Sequence, residues 1–277
     1  MIDVLLASFR PDASMLAAQV DSIRAQKGVE LRLSVREDHV GEGACANFAK
    51  LLEQSAGDYV AFSDQDDVWL PDKLERSMAA MRELEARYGK DVPLLVFTAA
   101  KVVDRELNVI DDSLFHPTCL DPERRSPRQL IMQNVANGNT MLFNAALREK
   151  ALPIPSDAFM HDHWVALVAS GFGKTACLNE PTLLYRQHST NVLGGSKVGF
   201  LYYSKKFLSG WSTTRKRLQG YFHQAEAFAL RYPDAPECFK VCIGFEKRNW
   251  LMRRWLLLRH GIFKNGFMRN LGTFLLV

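Results

Sequence analysis

Along the first hundred residues, short apolar runs alternate with stretches in which apolar side chains return every third or fourth position. Residues 2–8, 30–35, 58–63 and 94–99 are runs of the first kind and predict strands. Residues 12–26, with Met15, Leu16, Val20 and Ile23 in helical step, and residues 44–54 predict helices. Pro71 suits a first helical turn, and the helix it opens is expected to run to about Tyr88. Strands and helices in alternation predict an α/β fold, with a mostly parallel sheet covered by helices on both faces.

The pattern then loosens. Residues 111–128 are polar, contain Pro117, Pro122 and Pro127, and are expected to loop over the ligand-binding edge of the sheet. Further on, the pattern predicts a helix over 128–135, a strand over 140–144, a helix over 163–170, and short strands over 176–178 and 183–185 around Pro181. From Gly199 it becomes helical, basic and aromatic, which places a soft boundary near Gly195: a body, 1–195, and a C-terminal region, 196–277.

Charge sharpens this division. Residues 196–277 hold fifteen Lys and Arg against four Asp and Glu, whereas 1–195 hold twenty against twenty-seven. An acidic body can gather a cation, and a basic tail can meet an anionic surface. The five cysteines, Cys45, Cys119, Cys177, Cys238 and Cys242, show no C-x-x-C spacing, which argues against a disulfide framework or structural zinc site and fits a reducing compartment. Asp3 precedes the apolar Val4-Leu5-Leu6 with no basic segment before it, so no signal peptide is expected, and no apolar run reaches the length of a membrane span.

The densest chemistry follows the third predicted strand, where Asp64, Asp66 and Asp67 lie within four residues. Ligands of open α/β sheets sit at the carboxyl ends of strands. Three anions this close repel one another unless a cation joins them, and hard oxygen donors suit Mg²⁺ or Mn²⁺ shared with a substrate's phosphates. An acidic turn ahead of the Pro71 helix is the plainer alternative. Asp64-x-Asp66-x-Val68 also fits a phosphatase pattern with Asp64 as nucleophile, although two strand–helix units precede it here.

Asp64–Lys73 (DQDDVWLPDK), Gly138–Asn144 (GNTMLFN), His161–Trp164 (HDHW) and Tyr185–Gly194 (YRQHSTNVLG) together resemble, in order and spacing, the inverting family 2 glycosyltransferases, and among them rhamnosyltransferase-like members that build bacterial surface polysaccharides. The resemblance spans about residues 2–195. It implies a GT-A, Rossmann-like fold and a metal-assisted single displacement that moves a sugar from a nucleotide-diphosphate donor to a glycan or lipid-linked acceptor. Carried onto this chain, Ala7, Ser8 and Phe9 meet the nucleotide, Asp38 reads its base, and Asp64 and Arg186 belong to the donor site. Asp66 and His188 are the metal positions, for Mg²⁺ or Mn²⁺; Asp162 is the general base; Asn139 and Trp164 fall on the acceptor side. The plainer readings are a helix cap for Asp162, a loop histidine for His188 and a surface ion pair for Arg186.

The chain also departs from the family pattern. Only five residues, His39 to Gly43, separate Asp38 from the next predicted helix, where the family carries a longer loop, a helix and a strand. The sheet is therefore expected to lose an edge strand or be rewired, and a degenerate homologue that binds nucleotide without turnover stands as a third reading. Arg10 occupies a position where the family usually has Asn. In the tail, aromatics (Tyr202, Tyr203, Trp211, Trp250, Trp255) interleave with basic clusters such as Arg215-Lys216-Arg217 and Arg253-Arg254. That composition points to an anionic membrane surface, and so to a cytoplasmic protein peripheral at the inner face of the cell membrane. No nucleic-acid-binding module is recognisable.

Overall fold

The computed structural model describes residues 1–187 and 211–277. The expected rhythm is present: β1 (Ile2–Ser8), α1 (Ala13–Arg24), β2 (Leu31–Glu37), α2 (Ala44–Gln54), β3 (Tyr59–Ser63), β4 (Val68–Trp69), α3 (Lys73–Tyr88) and β5 (Leu94–Val103). There follow β6 (Val109–Asp111), α4 (Phe115–Thr118), α5 (Pro127–Leu130), β7 (Met141–Asn144), α6 (Ala145–Ala151), α7 (His161–Phe172) and β8 (Lys174–Arg186). The C-terminal region supplies α8 (Trp211–Arg231), α9 (Glu237–Lys240), α10 (Trp250–His260) and α11 (Phe267–Leu276).

The eight strands form one sheet in the order β2-β1-β3-β7-β5-β8-β4, with β6 paired to β5. β1 is parallel to both β2 and β3, and β5 is parallel to β8; β7 runs antiparallel between β3 and β5. The five longest strands thus point the same way. β2 closes one edge, and the short 39–43 connection leads from it directly into α2.

Alternation along the central strands sorts side chains onto two faces. Leu5, Ala7, Val60, Phe62, Leu95 and Phe97 join one cluster with Phe48 of α2, the apolar side of α7, and Phe222 and Phe228 of α8. Val4, Leu6, Ala61, Leu94 and Val96 face the other way, against Ile23 of α1 and Met78 and Met81 of α3. The C-terminal helices therefore extend the body's core; the boundary expected near Gly195 lies outside the described residues.

Two local expectations are corrected. The strands expected on either side of Pro181 are a single strand, β8, because Pro181 sits where the β5–β8 register shifts opposite Ala99. An irregularity is where a strand tolerates a residue with no N–H. The helix expected over 128–135 shrinks to the four residues of α5.

Candidate active site

The carboxyl ends of β1, β2, β3, β5 and β8 lie along one edge of the sheet, and the residues singled out by motif fall there. β3 ends in the buried Ser63, and the chain turns through Asp64, Gln65, Asp66 and Asp67 before β4. Gln65 fixes this turn to the end of β1: its Oε1 accepts from Phe9 N (2.7 Å) and its Nε2 donates to Phe9 O (3.3 Å). Beneath it lies Gln19 of α1, fully buried, with its amide satisfying Trp69 Nε1 (3.0 Å) and Asp67 O (2.8 Å).

Asp67 is the innermost carboxylate of the three. Its Oδ2 accepts from Asn139 Nδ2 at 2.5 Å and its Oδ1 from Arg186 N at 3.3 Å. Burial, and then the charge of Asp66, pushes its carboxyl upward. Lys73, itself buried with its ammonium 4.9 Å from the Trp69 ring centre, is pulled downward by burial and held back by Asp67. Asp64 is half-buried and its carboxyl is raised well above the ordinary carboxylate range by burial, then by Asp67, Asp66 and Asp162. The charge of Asp162 reaches Asp64, so the head of α7 stands within electrostatic range of the turn after β3.

Asp162 stands in the first turn of α7. The N-cap residue is Met160, whose side chain makes no capping bond, so Asp162 is not the cap. Its Oδ1 accepts from His163 N (2.7 Å), and its Oδ2 accepts from Gly138 N (3.1 Å) and Asn134 Nδ2 (3.2 Å). Burial lifts its carboxyl to about 6 in spite of these donors. Gly138 makes the approach possible: a Cβ there would sit 3.2 Å from both Asp162 Cβ and His161 Nε2. His161 stacks on Phe48 at 3.9 Å, and both its ring nitrogens lack partners among the described residues; burial lowers it to about 3, so the ring is neutral.

Other expected positions fall differently. Ala7 and Ser8 are buried at the end of β1, where the Ser8 hydroxyl has no partner among the described residues, while Phe9 is exposed beside Arg10 in the left-handed region (φ 44°). Asp38 is not free to read a base: its Oδ1 accepts from Val40 N (3.1 Å) and Gly41 N (2.8 Å) and its Oδ2 from Gly43 N (2.9 Å). It folds the short connection around itself, with Gly41 and Gly43 at φ 80° and 92°. Arg186 is buried, and its Nε and Nη1 donate to the carbonyls of Asp66 and Arg105, so these contacts brace the acidic turn rather than clamp a phosphate. Asn139 is buried and turned to Asp67. Trp164 has no exposed surface; its indole donates to Ala151 O (2.9 Å) and packs on Phe228, which makes it core rather than a wall for an acceptor. His188 lies outside the described residues. The sequence reading missed Gln19, Lys73 and Asn134; a buried lysine just after the acidic turn was visible only as part of a motif.

The glycosyl transferase family 2 model matches residues 15–149, which hold the acidic turn and Asn139, while Asp162 lies beyond the match. A Bacillus subtilis protein named as a teichuronic acid biosynthesis glycosyltransferase, TuaG, is 24% identical over 188 residues, covering 66% of this chain and 69% of its own. The amylovoran biosynthesis glycosyltransferase AmsB of Erwinia amylovora is 25% identical over 113 residues, 41% of this chain and 34% of its own length. Among solved structures, the mannosyltransferase of Pyrobaculum calidifontis in complex with GDP-Man and Mn²⁺ superimposes with a TM-score of 0.52 at 16% identity, over 94% of this chain and 72% of that one. S. aureus TarS 1-349 in complex with UDP-GlcNAc gives 0.51 at 12% identity, over 94% and 88%. The fold is of the GT-A glycosyltransferase type, and residues 15–149 are similar to glycosyl transferase family 2.

Proposed function

We propose that the chain transfers a sugar, rhamnose being the first to try, from a nucleotide-diphosphate donor to a glycan or lipid-linked acceptor in the synthesis of a surface polysaccharide. The carrying observation is the half-buried Asp162 at the head of α7, fixed by Gly138 N and Asn134 Nδ2 and lifted by burial to about 6. A base must be ionised near its working pH yet basic enough to take a proton, and this environment supplies that balance. The acceptor oxygen forms its bond to the anomeric carbon from the face opposite the diphosphate, which leaves with the electron pair of the broken C–O bond. The hydroxyl proton passes to Asp162, and the configuration inverts.

The acidic turn suits a divalent cation. Its donors are hard carboxylate oxygens, with Asp64 and Asp67 raised first by burial and then by the charges beside them. Hard oxygen donors fit a small cation that completes its shell with substrate phosphates. Asp66 would hold it, with His188 as a second candidate. When bound, the cation neutralises charge developing on the departing diphosphate. The relatives named for polysaccharide synthesis, and the neighbours holding GDP-Man with Mn²⁺ and UDP-GlcNAc, support this reading.

The test is a melting screen against nucleoside diphosphates and nucleotide sugars with and without Mn²⁺, followed by single-turnover sugar transfer. A specific ligand raises the melting temperature by mass action, and the expected hit needs both nucleotide and metal. No metal-dependent stabilisation by any nucleotide would sink the donor site. Binding without turnover would instead favour a degenerate homologue.

A further inference from the structure

The C-terminal helical hairpin has two unlike sides. Inward, Leu256, Leu257 and Val277 are buried in the core cluster shared with α7 and α8. Outward, Leu251, Trp255 and Leu258 line α10, and Phe267, Leu271 and Leu275 line α11, all exposed and all at helical spacing. Trp250, Met252 and Met268 extend this surface; Phe267 is 80% exposed and Leu251 70%. Arg254 of α10 reaches Leu275 O near the end of α11 (3.5 Å). Soluble chains seldom leave so large an apolar surface without a partner.

Charge identifies the partner. From Lys247 to Val277 the chain holds seven Lys and Arg and no Asp or Glu. Arg254 lies 3.8 Å over the Trp250 ring and Arg259 5.6 Å over Trp255, so cations and aromatic rings alternate along the outer face. A second copy of this face would set cation against cation, which disfavours self-association. Among the described residues no helix is long and apolar enough to cross a membrane, so the hairpin would lie along a surface. We infer that α10 and α11 dock on an anionic lipid bilayer, with Leu251, Trp255, Leu258 and Phe267 entering the interface and Lys247, Arg254 and Arg259 meeting the headgroups. This narrows the membrane contact expected of the whole basic tail to the outer faces of α10 and α11.

The hairpin is also fastened to the cleft. Arg269 donates to Thr118 O (2.8 Å), Arg124 to Phe263 O (3.2 Å), and Asn265 N to Gln133 Oε1 (2.9 Å), next to the Asn134 that holds Asp162. Docking would hold the cleft at a fixed height above the lipid, as a lipid-linked acceptor requires.

The test is co-sedimentation of the full chain with vesicles of phosphatidylglycerol and phosphatidylcholine in equal parts, and with phosphatidylcholine alone, and it does not depend on any activity. The parent is expected to pellet with the anionic vesicles and to be released by salt. The exposed charge reversal Lys247→Glu/Arg259→Glu and, separately, Leu251→Ser/Trp255→Ser/Phe267→Ser should each weaken binding by about fivefold or more, with melting temperatures near parental. Equal binding of the parent to neutral vesicles, undiminished binding by the apolar variant, or a parental dimer that this variant dissociates without any lipid binding would overturn the proposal.

Discussion

Two carboxylates at the ligand edge, Asp38 after β2 and Asp162 at the head of α7, accept comparable sets of backbone N–H groups yet are held in opposite states. Burial works against ionising Asp38, but the amides of Gly43, Glu42, Gly41 and Val40 outweigh it and its carboxyl sits below the ordinary range. At Asp162 burial wins over His163, Gly138 and Asn134, and the carboxyl rises to about 6. The Asp64 carboxyl, raised further by Asp67, Asp66 and Asp162, belongs with the second kind. A carboxylate whose lone pairs are filled by its own loop is architecture. One that burial keeps basic in spite of its donors is equipped for proton transfer.

The largest expected effect breaks the comparison at Asp162. Asp162→Asn keeps the shape and accepts from Gly138 N through its oxygen, but it cannot take a proton. Loss of a general base typically costs about 10²–10⁴-fold in rate. Single-turnover transfer should fall by that much while donor binding by calorimetry stays near parental. A fully active variant would remove the catalytic assignment. In the parent, kcat/KM should fall about tenfold per pH unit below about 6 as Asp162 becomes protonated. A profile flat down to pH 4 would place the base elsewhere.

Next in size is Asp66→Ala. A direct ligand should cost at least the about tenfold in metal affinity that outer partners typically cost, and nucleotide binding should lose its Mn²⁺ dependence. The same change removes one anion from a cluster in which Asp64 and Asp67 are both raised by it. Melting without metal should therefore hold or rise slightly. Parental Mn²⁺-dependent binding by calorimetry would exclude Asp66 as the metal position.

How much of this was legible beforehand follows the range of the interactions. β1, α2, β3 and β5 were readable because their apolar patterns are local, and α2 begins and ends where its periodicity does. β4, with two residues, and β6, with three, are too short to carry a period. α6 (AALREKA) buries only Leu147 and Ala151, so its pattern was too sparse. At the site, the residue types were visible and their partners were not. The Gly138 and Asn134 that hold Asp162 lie 24 and 28 residues away and meet it only through the fold. For Asp3 it was the partner that could not be read: inside β1 it accepts from both Nε (2.9 Å) and Nη2 (2.7 Å) of Arg32 on the neighbouring strand. Trp164 shows the converse, a motif residue whose side chain the core claims.

The smallest effect is expected at Asp38, where the prediction concerns stability and leaves chemistry alone. Asp38→Asn retains one oxygen, enough for Val40 and Gly41, but sets an amide NH₂ against the Gly43 N–H that Oδ2 now accepts. A donor facing a donor loses the bond and leaves the backbone N–H without its partner. The melting temperature at neutral pH should drop by a few degrees, with transfer rate and nucleotide affinity near parental. The pH dependence sharpens the test. Because the folded carboxyl lies below its ordinary value of 3.8, its contribution is present above that value and is lost as pH falls through the lower folded one. The gap between parent and variant should therefore be widest at neutral pH and narrow as the solution is acidified. For Asp162→Asn the sign reverses: the raised carboxyl stabilises only when protonated, so that variant should match the parent below 3.8 and gain on it as pH rises to about 6, with no further gain above. If Asp38→Asn instead abolished nucleotide binding at an unchanged melting temperature, Asp38 would return to the donor site and the division between the two carboxylates would fail.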